Sequence, residues 1–257
     1  MTNKLSKEAE NIKISGQNPG KILYFEELTS TFDKIREYPL SNWLTVVCSG
    51  QTQGSGRLGR KWESPQGGVY FTFCLTPPFD MPVAAITPIC AAGIHRALSK
   101  YVKCCIKWPN DIVCNGKKIC GILTRNIVSE GEVNAVLVGV GINVNNDSFP
   151  EELKHAVSLK GLSAREFDEN QVFSAVIKNI YQAMEYYTYL ENLHYYKENC
   201  TNLGKEVTIH YIDGRGDVPG VCTDINEDGS MNVQTPEGII AVNSGEVSVK
   251  GIYEEKE

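Results

Sequence analysis

No run of about 18 uninterrupted apolar residues, the length a membrane-spanning helix needs, occurs in this 257-residue sequence. The longest candidates, Val83 to Ile94 and Ala135 to Val144, are broken by Pro88 or by glycines, so no membrane partner is expected. There is no CxxC pair, and Cys104-Cys105 and Cys114/Cys120 have neither zinc-site spacing nor histidines beside them, so no protein-held metal is expected. The nine cysteines therefore read as reduced, mostly buried thiols of a cytoplasmic protein. Met1 to Gly20 has no apolar stretch and reads as a polar tail, not a signal or transit peptide. Basic charge is not in excess: the formal charge of −6 argues against general nucleic-acid affinity unless a local patch supplies it. The four histidines, His95, His155, His194 and His210, stand far from the polar clusters described below, which leaves a Ser-His-Asp arrangement without support.

What is present suits a folded α+β chain with one or two domains. Hydrophobic residues make up 42% and charged residues 22%, ordinary globular values. Lys21 to Phe25 reads as a strand. Thr29 or Ser30 can cap a short helix through Phe32, Ile35 and Arg36 that Pro39 stops. Trp43 to Cys48 reads as a second strand, and Ser49 to Gly68 as a long loop. Gly68 to Leu75 alternates as a half-buried strand does, and Pro82 to Tyr101 reads as a helix. From Cys104 to Val144 come four short β-like runs separated by Pro109-Asn110-Asp111, Asn115-Gly116 and Glu130-Gly131, which predicts hairpins. Gln171 to Tyr196 reads as one helix, with Val172, Val176, Ile180, Met184 and Tyr187 at helical spacing. Beyond Asn199, short strands linked by Asp213-Gly214, Asp228-Gly229, Glu237-Gly238 and Ser244-Gly245 turns predict a small β-barrel. The expectation is a mixed, mostly antiparallel sheet with helices on one side, divided into a tail (1–20), a main domain (21–198) and a small C-terminal domain (199–257).

Four clusters carry chemistry. The first is Gln51-Thr52-Gln53-Gly54-Ser55-Gly56-Arg57-Leu58-Gly59-Arg60-Lys61-Trp62. Its G-x-G-x-x-G lacks the helix that a dinucleotide fold opens at the third glycine, because Ser64-Pro65 and an alternating strand follow. What remains is a loop whose bare N–H groups can surround an anion while Arg57, Arg60 and Lys61 supply positive charge. The second is Lys107-Trp108-Pro109-Asn110-Asp111, a cation, an amide and a carboxylate around a turn. The third is Lys117-Lys118-Ile119-Cys120-Gly121-Ile122-Leu123, with lysines opening an apolar strand. The fourth, Val138-Gly139-Val140-Gly141-Ile142-Asn143, alternates glycine inside a strand and leaves one face bare, as a bulge or a close-lying ligand requires.

These clusters, in this order, resemble the biotin protein ligases, and the resemblance runs from about Leu23 to Lys250. It implies an α+β catalytic domain that activates biotin with ATP and Mg²⁺, and an SH3-like C-terminal barrel that assists. By the same resemblance, Ser30, Thr31, Gln51 and the Gly54, Ser55, Gly56 and Arg57 backbone fall where biotin is bound. Lys118 falls on the lysine that meets the biotin carboxylate, and Gly121 and Gly139 let the backbone approach the ligand. Trp62 falls against adenine, while Arg57, Arg60, Lys107, Asn110, Asn143 and Lys250 fall around the nucleotide. Asp111 falls beside the acceptor lysine of a carboxylase's biotin carboxyl carrier domain, so that Lys118, Arg57, Lys107 and Asp111 are the expected catalytic set. Two positions depart from the family: its usual Ser-Thr-Asn reads Ser30-Thr31-Phe32, and an often basic loop position is Ser55. The resemblance is to the short type without an N-terminal helix-turn-helix, with no DNA partner and with a homodimer as an allowed assembly. The competing readings are a lipoate ligase-like acyl-adenylate transferase and, in a different class, a nucleic-acid-binding module using the Arg57 to Lys61 patch.

Overall fold

The computed structural model describes residues 20–244 and 247–250; the expected tail, apart from Gly20, lies outside the described residues. Strands β1 (Ile22–Leu28), β2 (Thr45–Gln51), β3 (Gly68–Leu75), β4 (Cys105–Lys107), β5 (Asp111–Cys114), β6 (Lys117–Ser129) and β7 (Glu132–Asn143) form one sheet in the order β1-β2-β3-β7-β6-β5-β4. Only the β1–β2 pair is parallel. The four expected runs after Cys104 are thus strands, and β6 and β7 are 13 and 12 residues long.

Alternation divides the sheet into two unlike faces. Val47, Phe71, Phe73, Val138, Val140 and Ile142 point to the large core, covered by α2 (Ile86–Leu98), α4 (Glu169–Glu185) and α5 (Tyr189–Glu198). There Trp43 stacks on Phe73 at 5.1 Å and Phe173 meets Phe71 edge-on at 5.1 Å; burying one such ring stabilises the fold by about 1.5–3 kcal/mol. The opposite face is thinner. The five-residue α1 (Thr31–Ile35), capped by the Ser30 hydroxyl, packs Phe32 and Ile35 on Leu44, Val46, Cys74, Ala135 and Leu137. One helix therefore lies across the sheet from the others, where all were expected on one side, because Phe32 and Ile35 give even this short turn an apolar stripe of its own.

Three local expectations change. The Gln171 to Tyr196 helix is two helices, divided where Thr188 and Glu191 form a reciprocal capping box that starts α5. The Pro82 to Tyr101 helix opens with a 3₁₀ turn at Val83–Ala85 and is α-helical only from Ile86. Trp43 and Leu44 stand outside β2, with Trp43 at φ 61°. A further short helix, α3 (Leu159–Ser163), lies in a stretch for which no element was expected.

The C-terminal strands β8 (Glu206–Tyr211), β9 (Asp217–Ile225), β10 (Met231–Thr235), β11 (Gly238–Val242) and β12 (Val247–Lys250) form an antiparallel sheet in the order β11-β10-β9-β8-β12. No pairing joins β11 to β12 among the described residues, so the expected small barrel is an open sheet here. Val207, Ile209, Cys222, Ile225, Met231 and Val233 belong to the same apolar cluster as the main core. Trp108, 1% exposed, donates from Nε1 to Gly229 O at 3.0 Å and from its backbone N–H to Asn202 Oδ1 at 2.8 Å, which ties the turn after β4 to the C-terminal sheet.

Candidate active site

The β6–β7 register sets Gly121 opposite Gly141 and Leu123 opposite Gly139, while β3 sets Thr72 beside Gly139 and Tyr70 beside Gly141. A strip of bare backbone results on the thinner face. Two aromatic rings lie on it. A Cβ added at Gly121 would stand 2.7 Å from Trp62 Cζ3 and 3.0 Å from Lys118 Cε, one at Gly141 would meet the Trp62 indole nitrogen, and one at Gly139 would overlap the Phe32 ring. These positions require glycine because rings, not solvent, occupy the Cβ space.

Trp62 arrives there through the expected long loop after β2, which is folded back on itself. Trp62 N donates to Gly54 O at 2.9 Å, Gly56 N to Arg60 O at 2.7 Å, and Ser55 pairs with Lys61. The tip turns at Leu58 (φ 56°) and Gly59 (φ 73°), left-handed values that suit glycine at the second position. The Trp62 indole N–H is buried without a hydrogen-bond partner, an unsatisfied donor of the kind that calls for an acceptor at this spot.

Polar groups border one end of the strip. Gln51 Oε1 accepts from Thr31 N at 2.8 Å and from Thr31 Oγ1 at 3.1 Å, and Gln51 Nε2 donates to Ser64 Oγ at 3.0 Å. Thr31 Oγ1 lies 2.8 Å from Thr72 Oγ1. The Ser30 hydroxyl accepts from Phe32 N at 3.2 Å. This fixes a buried row of hydroxyls and an amide that can read a small polar ligand head.

Charge gathers at the other end. Lys118 Nζ stands 2.6 Å from Asp111 Oδ1 and 4.9 Å from the Trp62 ring centroid. Lys107, which ends β4 and is registered against Asp111 on β5, is 6% exposed. Burial holds its ammonium below the ordinary lysine range; Asp111 opposes that, while Lys118, Arg57 and Arg60 add to it. Burial likewise lowers Arg57, with Asp111 opposing and Arg60 adding. Arg57 donates to Asn110 Oδ1 at 3.4 Å, to Val247 O at 3.2 Å and to Ser244 O. Asn110 is held in turn by Nδ2 donating to Ile122 O at 2.6 Å. Four cations thus act on one another around a single carboxylate in a chain of net charge −6. Such a place favours an anion.

The fold therefore brings together Thr31, Gln51, Gly54, Arg57, Arg60, Trp62, Lys107, Asn110, Asp111, Lys118, Gly121 and Gly139. Ser30 serves α1 as its cap, and Ser55 and Gly56 shape the loop through backbone contacts. Asn143 is turned to a structural task, donating to Val157 O at 3.2 Å and Lys118 O at 3.5 Å. Lys250 is registered against Thr208, and its side chain lies outside the described residues. Sequence reasoning missed Ser64 and Thr72, ordinary polar residues in a loop and a strand, and the segment at 155–157, which clamps the Lys118 backbone from both sides (Lys118 N to His155 O, 2.6 Å; Val157 N to Lys118 O, 3.0 Å). Nothing in the local pattern announces those partners. Among the described residues no three His, Cys, Asp or Glu side chains gather to hold a metal.

Residues 22–143 match the model of the Biotin/lipoate A/B protein ligase family, and residues 203–250 that of the Biotin protein ligase C terminal domain. The chain is 30% identical over 254 residues to the bifunctional ligase/repressor BirA of Bacillus subtilis, covering 92% of this chain and 75% of that protein. It is 26% identical over 215 residues to the biotin--[acetyl-CoA-carboxylase] ligase of Mycobacterium tuberculosis, covering 79% of this chain and 78% of that protein. Among solved structures, the Aquifex aeolicus biotin protein ligase in complex with biotin and ATP is similar at TM-score 0.76 and 30% identity, covering 89% of this chain and 98% of that one.

Proposed function

The chain belongs to the biotin protein ligase family, and from that premise we propose that it activates biotin with ATP as biotinyl-5'-AMP and transfers the biotinyl group to a lysine of a biotin carboxyl carrier domain. The observation that carries this reading is the bare glycine strip with a hydroxyl-and-amide row at one end and four cations around Asp111 at the other. A long carboxylic acid with a polar head fits that polarity end to end, and ATP adds the remaining negative charge. No second reading has an observation in its favour: a lipoate-type ligase does not call for the Thr31–Gln51–Ser64 row, and in the Arg57 to Lys61 patch Arg57 is bonded to Asn110, Ser244 and Val247 while Lys61 pairs with Glu63 at 2.7 Å.

In the first half-reaction a carboxylate oxygen attacks the α-phosphorus, the bond to the β-phosphate oxygen breaks, and pyrophosphate leaves. Lys118 exchanges its Asp111 partner for the ligand carboxylate, while Arg57, Arg60 and Lys107 neutralise phosphate oxygens; the work is positioning and charge stabilisation. When bound with the nucleotide, Mg²⁺ would add to the charge neutralisation that Arg57, Arg60 and Lys107 provide. In the second half-reaction an amine attacks the mixed anhydride and AMP leaves. A free lysine is neutral only about 0.04% of the time at pH 7, a handicap of roughly 4.6 kcal/mol. Asp111, once released by Lys118, orients that amine and takes its proton. Nine free thiols, eight of them buried, support a reducing, cytoplasmic setting.

The deciding assay is pyrophosphate release with ATP and either biotin or lipoate. Release that requires biotin supports the reading. Release with lipoate but not biotin overturns it.

A further inference from the structure

We propose that Trp108 is a positioning residue for the adenylation step: its indole N–H, bonded to Gly229 O in the C-terminal sheet, sets where the Lys107 ammonium stands. The inference rests on the functional reading above and adds to it a residue that touches no substrate. Strands β4 and β5 are three and four residues long, lie at the edge of the main sheet, and pair only through Cys105–Val113, Ile106–Ile112 and Lys107–Asp111. So short a ladder holds its side chains weakly by itself. Ile106 and Trp108 belong to the large core, while Lys107 between them feels Asp111, Lys118, Arg57 and Arg60. The support for Lys107 therefore comes from behind the sheet.

That support is a continuous set of bonds. Along the outer edge of β4, Ile106 N donates to Asn199 O at 2.8 Å and Thr201 N to Ile106 O at 2.8 Å, and the Trp108 N–H then reaches Asn202 Oδ1 at 2.8 Å. The Trp108 indole extends the same line to Gly229 O at 3.0 Å. Gly229 is a fixed point: its N–H donates to Asn226 O at 2.9 Å, Asn226 N to Ser230 O at 2.8 Å, and Ser230 N to Asp228 Oδ1 at 2.9 Å. The other arm of the turn has its own anchor, because Asn110 Nδ2 donates to Ile122 O at 2.6 Å and Ile122 N to Asn110 O at 2.9 Å. Loss of the indole bond thus falls on the Lys107 arm and spares Asp111. Lys107 neutralises phosphate oxygens in the first half-reaction, where placement decides the rate.

The test uses the full chain and follows the half-reactions separately: pyrophosphate release with ATP and biotin, and transfer to a carrier domain from supplied biotinyl-AMP. Each variant is checked for a cooperative thermal transition. Trp108→Phe keeps most of the ring volume and removes the donor. It is expected to slow pyrophosphate release by about tenfold or more, as a misplacement of about 1 Å can, and to leave transfer within about threefold. Gly229→Ala disturbs the acceptor from the C-terminal sheet: a Cβ there has room, 3.6 Å from Ala84 O and 3.8 Å from Pro88 Cγ, but φ is 80°. It is expected to slow release by about threefold or more, again sparing transfer. In a Lys107→Met background, followed with enzyme in excess, neither change should slow release by more than about twofold further, since the side chain being placed is gone. Trp43→Phe, which alters another buried tryptophan stacked on Phe73, should lower Tm with both half-reactions within about twofold. A merely structural role for Trp108 slows both half-reactions together and keeps its full effect beside Lys107→Met. That pattern, or release at the unaltered rate in folded Trp108→Phe or Gly229→Ala, overturns the assignment of Trp108 alone. Absence of biotin-dependent release from the unaltered protein overturns the functional reading and this inference together.

Discussion

Replacing Asp111 by asparagine separates the charge of this residue from its shape. Its carboxylate faces Lys118 at 2.6 Å, with 26% of the lysine side chain and 10% of the aspartate side chain exposed, and it is the one group that raises the Lys107 pKa against burial and three neighbouring cations. Removing one partner of a fully buried pair costs about 3–5 kcal/mol, and the water reaching Lys118 reduces that here to about 2–3 kcal/mol. For a chain of this size the loss corresponds to a fall in Tm of about 5–10 °C. The pH dependence has a definite sign. A lysine whose folded pKa is lowered binds fewer protons folded than unfolded between its folded value and about 10.4, so its burial costs stability below that window and the cost is relieved as pH rises through it. Asp111→Asn lowers the bottom of the window further. Urea unfolding from pH 7 to pH 9 should show the variant weaker at pH 7 and gaining more stability with pH than the unaltered protein, and Lys107→Met in the variant background should remove the extra slope. Added ATP and biotin should restore more stability to the variant, since anions then meet uncompensated cations. Equal stability at pH 7 with parallel pH profiles would refute the claim that Asp111 is what makes this cation cluster tolerable.

Lys118→Ala should slow biotin-dependent pyrophosphate release by more than about tenfold, in keeping with the loss of a charge-assisted contact of about 1.5–3 kcal/mol, and transfer from supplied biotinyl-AMP should largely survive; release at the unaltered rate would remove Lys118 from the first half-reaction. Arg57→Gly gives up the hydrogen bonds to Asn110, Ser244 and Val247, so the loop should release biotinyl-AMP faster and label lysines of an unrelated bystander protein; an unchanged off-rate with no bystander labelling would show that Arg57 does not latch the loop. Among the thiols, burial pushes Cys48, Cys104 and Cys222 up to about 12 and Cys74 to about 11, and Cys105 is the one that is not buried. A thiol reagent at pH 7.5 should therefore modify Cys105 first and leave the other eight slow, read by peptide mass mapping.

Strand positions were legible where punctuation is local. The dipeptides Asn115-Gly116 and Glu130-Gly131 sit at the turns of β5–β6 and β6–β7, with Asn115 at φ 48° and Glu130 at φ 55°, and the alternation of Gly68 to Leu75 marked the bounds of β3, although all eight of its residues are buried where a half-buried strand was expected, because both faces of the sheet are covered there. The floor of the site was legible as alternating glycines because a bare face is a feature of one strand. The break at Thr188 carried a readable signal, Thr188 three residues before Glu191, that the run of tyrosines at helical spacing outweighed. The clamp on Lys118 from His155 and Val157, and the hold of Ser244 and Val247 on Arg57, depend on contacts across long stretches of chain. The same holds for Phe32: its identity stood out against the family pattern, but its place over Gly139 is a consequence of how α1 sits on the sheet.

The most direct measurement incubates the full chain with ATP, biotin, Mg²⁺ and a biotin carboxyl carrier domain, and records the intact mass of the carrier. One biotinyl group on the single acceptor lysine, absent when ATP or biotin is left out and absent when that lysine is replaced by arginine, is the expected result. An unmodified carrier, in a reaction where a known biotin protein ligase modifies the same preparation, would contradict the assignment.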